Sequence, residues 1–337
     1  MRLKKSYALL LAVSIVLTMA VPLVLGGLDQ FRLLSRLSWW AIVALVLIIL
    51  VSWVFNAVRL RLLMGTMGWK IGMGESGLIT IAAEFAGNST PGAVGMPVTY
   101  TFLLRKRKIT FGSAMGMISV IVLFDVLFFG TLMPLAAIAL LFEKSPETTS
   151  RMVAVVTVVV MGGSLLLWAG SRYYRPVCRF VGHHMARWDW LAKRRYRLAR
   201  MTVEFLRALR IFRTMSWTQR LGLYLVTMGY WMPRYAVLAV VISIVGKKVV
   251  PFSYVFLMQG LLNLGGQVFI LPGGGGGVDV AYSVLMSPYL APEMIAFTLI
   301  AWRVYTFYLH LIVGGPIFLL KTGEAARELL GKRTTAS

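Results

Sequence analysis

Three runs without a single charged side chain, 6–28, 37–58 and 152–171, decide most of what this 337-residue chain can fold into. Each can cross about 30 Å of hydrocarbon as a helix. In lipid there is no water to satisfy backbone N–H and C=O groups, so spanning segments must be helices or closed barrels. The alternation of roughly ten-residue barrel strands is not evident. With 58% hydrophobic and 14% charged residues and a mean hydropathy of +0.78, the expected class is an all-α polytopic membrane protein.

The net charge of +23 would suggest nucleic acid in a soluble protein. Here the basic residues flank apolar spans, so positive-inside topology and anionic headgroups explain them without any nucleic-acid partner. The one cysteine, Cys178, excludes an intrachain disulfide and a Cys-rich metal cluster. Met1-Arg2-Leu3-Lys4-Lys5 precedes an apolar run too long for a signal peptide, with no A-x-A-like site after it, and the run reads as a first transmembrane helix.

Charge then orders the spans. The helix at about 6–25 leads from a cytoplasmic N-terminus, and the one at about 37–58 returns to Arg59, Arg61 and Lys70. Arg105-Lys106-Arg107-Lys108 belongs on that same side, so 76–104 must enter and leave together as a re-entrant hairpin broken at Pro91-Gly92 and Pro97. Helices at about 109–142 and 152–171 reach the strongly basic segment 172–215, and another follows at about 217–245. The tail 322–337 (Arg327, Lys332, Arg333) is placed inside, with a sixth helix at about 294–320 leading to it. The stretch 249–286 becomes a second hairpin from outside; Lys247 and Lys248 then lie outside, against the rule. The result is a single transmembrane domain of about six helices and two hairpins. It divides into an inverted half 1–142 and a second half 143–321, in a cytoplasmic (inner) membrane with both termini cytoplasmic.

The second hairpin carries the strongest local signal, Leu271-Pro272-Gly273-Gly274-Gly275-Gly276-Gly277-Val278-Asp279. Proline removes a backbone donor and each glycine costs about 1 kcal/mol in a helix interior relative to alanine. Broken backbone at membrane depth survives only inside protein or along a polar cavity. A shift of 181 residues lays Pro91-Gly92 on Pro272-Gly273 and Gly95 on Gly276. Paired breaks of this kind mark transport sites between inverted repeats, although an ordinary bundle with Pro/Gly kinks remains the plainer alternative.

A set of weak motifs in fixed order adds a resemblance. Asn56-Ala57-Val58-Arg59, the stretch from Asn88 to Gly95, Asp125, the stretch from Leu271 to Asp279, and Arg303-Val304-Tyr305 with Gly314 together resemble the flippase-like transmembrane domain of lysylphosphatidylglycerol synthetases, a domain also found as stand-alone proteins. The resemblance spans about 6–320. It implies lipid translocation without lipid aminoacylation, because no soluble transferase domain follows before Ser337. Where the family's first turn carries Glu and Arg this chain has Met96 and Thr99, and the family's Glu-Arg pair in the third helix is replaced by Ile121-Val122. A charged aminoacyl lipid is therefore a less natural substrate than another amphipathic lipid.

Ionisable groups inside a span cost about 2.5–3.5 kcal/mol each on insertion scales and are site candidates by default. Arg303 is nine residues into its helix, and its forked donors suit a lipid phosphate or, structurally, a pairing with Asp125 or Asp279. Asp279 can cap the helix after the glycines or face the cavity; Asp125 reads as a structural counter-ion or a proton carrier. Arg234 faces the cavity or snorkels to the interface, and Glu84 pairs with a basic residue or a lipid amine. Asn88, Asn263 and Gln267 supply neutral polar groups, for which interhelical bonding is an equal explanation. Pro91, Gly92 and Gly95 in one turn, and Pro272, Gly273, Gly274, Gly275, Gly276 and Gly277 in the other, free N–H groups where half-helix starts favour anions. The resemblance adds Tyr305. His183-His184 near Cys178 make no metal pattern, and no Gly-Lys-Ser/Thr follows the glycines.

The expected function is a flippase- or scramblase-type transporter, and not an enzyme, whose partners are anionic or phosphate-bearing membrane lipids. It needs no cofactor and no metal, and moves lipid passively or by ion coupling through Asp125, Glu84 or Asp279. The alternative is a membrane-embedded transferase acting on a lipid headgroup, disfavoured by the scarcity of His, Asp and Glu. A third reading is a scaffold that recruits partners through its basic loop.

Overall fold

The computed structural model describes residues 38–142, 214–245, 250–266 and 271–334, besides positions 16, 155, 158, 162 and 163. The helices expected at 6–25 and 152–171, most of the basic segment 172–215, Lys247, Lys248 and Gln267 lie outside the described residues.

Within them the chain is helical throughout. Helix α1 spans Trp39–Thr66, started by the Ser38 hydroxyl, which accepts from Ala41 N at 3.2 Å. Helix α2 (Met73–Asn88) and α3 (Gly95–Leu104) fold back on each other around a 3₁₀ turn at Pro91–Ala93. Helix α4 (Phe111–Leu141) starts at Thr110, whose Oγ1 accepts from Ser113 N. Helix α5 covers Trp217–Val245 and holds Pro233. Helices α6 (Phe252–Gly266) and α7 (Gly277–Met286) flank a second 3₁₀ turn at Pro272–Gly274. Helix α8 (Pro292–Arg303) passes through a π-turn at Val304–Tyr308 into α9 (Leu309–Thr334).

Four stretches are long and apolar enough to cross a membrane among the described residues: Trp39–Thr66, Phe111–Leu140, Trp217–Ile244 and Pro292–Ala325. Their outward faces carry Leu47, Val51, Val54, Val122, Leu135 and Ile138, all exposed, as side chains that meet lipid rather than water would be.

Two sequence expectations on length need correction. The helix expected to end at Val58 continues to Thr66, and Arg59 is not a loop residue: it is buried in α1 with its own counter-ion. The sixth helix, expected at about 294–320, begins at Pro292, carries the π-turn and stays helical to Thr334.

Packing converges on the two turns, which touch each other. Helix α1 lies between α5 and α2, and α2 lies along α9. Small residues set these approaches. A Cβ on Gly229 would enter the Phe55 ring, and one on Gly314 would come within 2.7 Å of Phe85 Cβ. One apolar cluster, with Phe128, Tyr254 and Tyr282, joins α4, α6 and α7; another, with Leu60, Ala83 and Met117, joins α1, α2 and α4. At one end Glu75 in the first turn of α2 binds Arg107 after α3, and this hydrogen-bonded pairing holds the Arg107 guanidinium above its ordinary pKa. The hairpin α2–α3 is thus closed at its open end as well as at its turn.

Candidate functional site

The two helix breaks open with the same backbone and part after four residues, at Val94 (ψ −26°) and Gly275 (ψ 135°). Thr90 and Leu271 are extended, Pro91 and Pro272 open the turns, and the next two residues are left-handed in both: Gly92 (φ 58°) and Ala93 (φ 54°), Gly273 (φ 63°) and Gly274 (φ 66°). These are positions 181 residues apart, so the weak sequence echo reports a shared local geometry. In the first turn the Thr90 hydroxyl donates to Ala86 O (2.7 Å) and accepts from Gly95 N (2.8 Å), joining the end of α2 to the start of α3. A side chain on Gly95 would collide with the Ala86 carbonyl, which is why glycine begins α3.

The second turn is held by charge. Asp279, fully buried in the first turn of α7, accepts from Gly276 N at 2.9 Å through one carboxylate oxygen. Through the other it accepts from Arg303 Nε at 2.6 Å. Arg303 Nη1 donates to the Gly273 carbonyl at 2.9 Å. Capping and cavity-side ion pairing, the two uses expected of Asp279, are therefore made by one carboxylate. Arg303 Nη2 is buried with no hydrogen-bond partner among the described residues, and the guanidinium lies over the Trp302 and Phe307 rings at 5.4 and 5.7 Å.

A second centre surrounds Glu84, 3% exposed on α2. One of its oxygens accepts from Asn56 Nδ2. The other accepts from Arg234 Nη1 at 2.9 Å and lies 2.9 Å from His310 Nε2, to which the Trp53 indole donates at 2.8 Å. Arg234 donates further to Tyr230 Oη at 2.7 Å. A third pair, Arg59 with Asp125 at 2.5 Å, is completed by the Trp231 indole, which donates to the same carboxylate oxygen at 2.7 Å. Tyr230 links the two centres, with Arg59 and Arg234 over its ring at 4.5 and 4.9 Å.

These contacts decide between the two partners left open for Arg303, and Asp125 is not its counter-ion. It serves Arg59, and Asp279 serves Arg303. Arg234 turns inward to Glu84 instead of snorkelling to an interface.

A cavity of about 170 Å³ opens where the two turns meet. From the first turn Asn88, Thr90, Gly92 and Ala93 reach it, and from the second Gly273; Arg234, Asn263 and Arg303 face it from α5, α6 and α8. Asn88 Nδ2 is buried there without a partner among the described residues. The structure thus brings together Asn88, Gly92, Arg234, Gly273 and Arg303 of the expected residues. Glu84 and Asp279 stand one contact behind, each bound to a lining arginine. Asp125 reaches it only through Trp231. Pro91, Gly95, Pro272, Gly274, Gly275, Gly276 and Gly277 build the turns rather than the lining. Tyr305 packs in an apolar cluster with Leu45, Ile49 and Phe297.

Sequence reasoning did not select Arg59, His310, Tyr230 or Trp231. A signal existed for two of them. Arg59 is three positions after Asn56, on the same face of a long helix, and His310 interrupts an otherwise uncharged stretch between Arg303 and Lys321. The aromatic partners carried none.

An all-helical membrane protein with three buried Arg–carboxylate pairs around a polar cavity between broken helices is the class that this architecture defines. The chain belongs to the family of the lysylphosphatidylglycerol synthase TM region, whose family model matches residues 8–314. It is also similar to a UPF0104 membrane protein of Archaeoglobus fulgidus, at 22% identity over 294 residues, 84% of this chain and 87% of that protein. No solved structure matches. The family ties this membrane protein to lipid metabolism.

Proposed function

We propose that the protein is a lipid transporter of the flippase or scramblase type, moving a phosphate-bearing amphipathic lipid between the leaflets of the cytoplasmic membrane. The observation that carries this reading is the cavity itself. Both helix breaks and two arginines converge on it, and Arg303 brings a buried donor that no described residue uses. Broken helices whose freed ends face a polar cavity suit the headgroup of a lipid whose acyl chains remain in the bilayer. In this reading α2–α3 and α6–α7 are re-entrant hairpins entering from opposite sides, the halves 1–142 and 143–321 form an inverted repeat, and both termini are cytoplasmic. The matching left-handed pairs at 92–93 and 273–274 support the repeat.

Proteoliposomes with fluorescent phospholipids in both leaflets test it by the fraction that a membrane-impermeant quencher reaches. Purified protein should raise that fraction from about half towards completeness. Quenching equal to that of empty vesicles across phospholipid and glycolipid classes would sink the proposal.

A further inference from the structure

The cavity has a charge character that the transport reading leaves open. None of its lining residues among those described is Asp, Glu or Lys, and its two ionic side chains are both arginines. Every carboxylate near it is consumed. Glu84 is engaged by Arg234 and Asn56, Asp279 by Arg303 and Gly276 N, and Asp125 by Arg59 and Trp231. Three of the four aromatic rings among the described lining residues already carry cations: Arg234 lies over Trp231 at 5.8 Å, and Arg303 over Trp302 and Phe307 at 5.4 and 5.7 Å. An incoming ammonium would therefore be desolvated beside two guanidiniums without a free acceptor charge, which is costly for a buried ion. The spare polar groups carry no negative charge: the donors Arg303 Nη2, in a residue only 5% exposed, and Asn88 Nδ2, with the neutral Tyr235 hydroxyl, which can donate or accept. Asn263 adds a neutral amide.

We infer that this cavity selects lipids whose headgroup is an anionic phosphodiester with an uncharged, hydroxylated remainder, and rejects those whose headgroup bears an amine. The inference rests on the transport reading for a lipid being the occupant, whereas the selectivity comes from the lining alone. Arg303 Nη2 and Asn88 Nδ2 donate to the phosphate oxygens, and Asn263 meets the hydroxyls. The pairs Arg303–Asp279 and Arg234–Glu84 stay closed during binding, so the guanidiniums are held in place before the lipid arrives.

The test is binding by the full chain in nonionic detergent, read as thermal stabilisation through intrinsic tryptophan fluorescence. The probes are dihexanoyl phosphatidylglycerol, dihexanoyl phosphatidylethanolamine, glycerol 3-phosphate and inorganic phosphate. The glycerol lipid should stabilise saturably at a concentration at least tenfold below that of the ethanolamine lipid. Asn88→Ala should weaken it about tenfold, and Asn263→Asp, which places a carboxylate in the lining, should invert the preference in favour of the amine. Equal stabilisation by the two lipids would overturn the selectivity. A glycerol-lipid effect unchanged in both variants would move it to the basic surface and overturn the site. Glycerol 3-phosphate or inorganic phosphate acting as well as the lipid would assign the cavity to a soluble phosphate and overturn the lipid as occupant. Discrimination in binding without leaflet exchange in proteoliposomes would leave this inference standing and remove the transport reading alone.

Discussion

Arg303 shows how a cation is tolerated where no water solvates it. Two of its nitrogens are spent on the second helix break, through Asp279 and the Gly273 carbonyl, and removing it strands a fully buried carboxylate. Arg303→Ala should destabilise the protein by about 3–5 kcal/mol, the usual cost of breaking a buried pair from one side. The double replacement Arg303→Met with Asp279→Leu should cost clearly less than Arg303→Ala, and melting curves of the purified variants give the comparison. Ala93 offers the opposite case. It is left-handed at φ 54°, where the second turn has Gly274. That conformation costs an L-residue about 1–2 kcal/mol, partly offset by the greater freedom glycine gains on unfolding. Ala93→Gly should accordingly stabilise by up to about 1 kcal/mol, a rise in melting temperature measured by the same method. The reverse experiment, Gly273→Ala, combines positive φ with a Cβ thrust into the Phe307 ring and should lower it.

Among the elements, the tightest tolerance is between α2 and α9. Gly314 lets Phe85 and the Ile81 carbonyl come close, so Gly314→Leu should force the two helices apart. An overpacking cost of about 1–3 kcal/mol is expected. The loss should extend to leaflet exchange, because α2 carries Glu84 and Asn88 and α9 carries His310. How much of this was readable in the chain depended on where the signal lay. Helices α4 and α5 match their expected spans within two residues, because long apolar runs bounded by polar residues mark their own ends. The breaks at Pro91 and Pro272 were readable because proline and glycine act on the local backbone whatever packs around them. The end of α1 was misjudged since Arg59 looks like a topology marker until Asp125, 66 positions away, is brought beside it. The choice of Asp279 over Asp125 as the partner of Arg303 stayed open for the same reason. Several acids and bases within one bundle have many neutral pairings, and only the fold chooses among them.

At the scale of the molecule, the strongly positive chain neutralises the arginines of its broken-helix centre: among the described residues Arg59, Arg234 and Arg303 are each matched by a carboxylate. Part of the excess positive charge, Arg105, Lys106 and Arg107, stands directly after α3, where anionic headgroups can meet it. The last long helical stretch has to serve two of the buried centres, since Arg303 answers to α7 and His310 to α1 and α2. In an uninterrupted α-helix each residue turns by about 100°, so seven positions on His310 would fall within about 20° of the face that Arg303 occupies. The π-turn between them takes up one extra residue and rotates the remainder of the helix by roughly that one step. It acts as a phase shifter, letting a single rod address two partners on different sides. Deleting Val304 should restore an even helix, pull His310 away from Glu84 and Trp53, and lower the melting temperature far more than Val304→Ala does; equal effects of the two changes would show that the offset carries no weight.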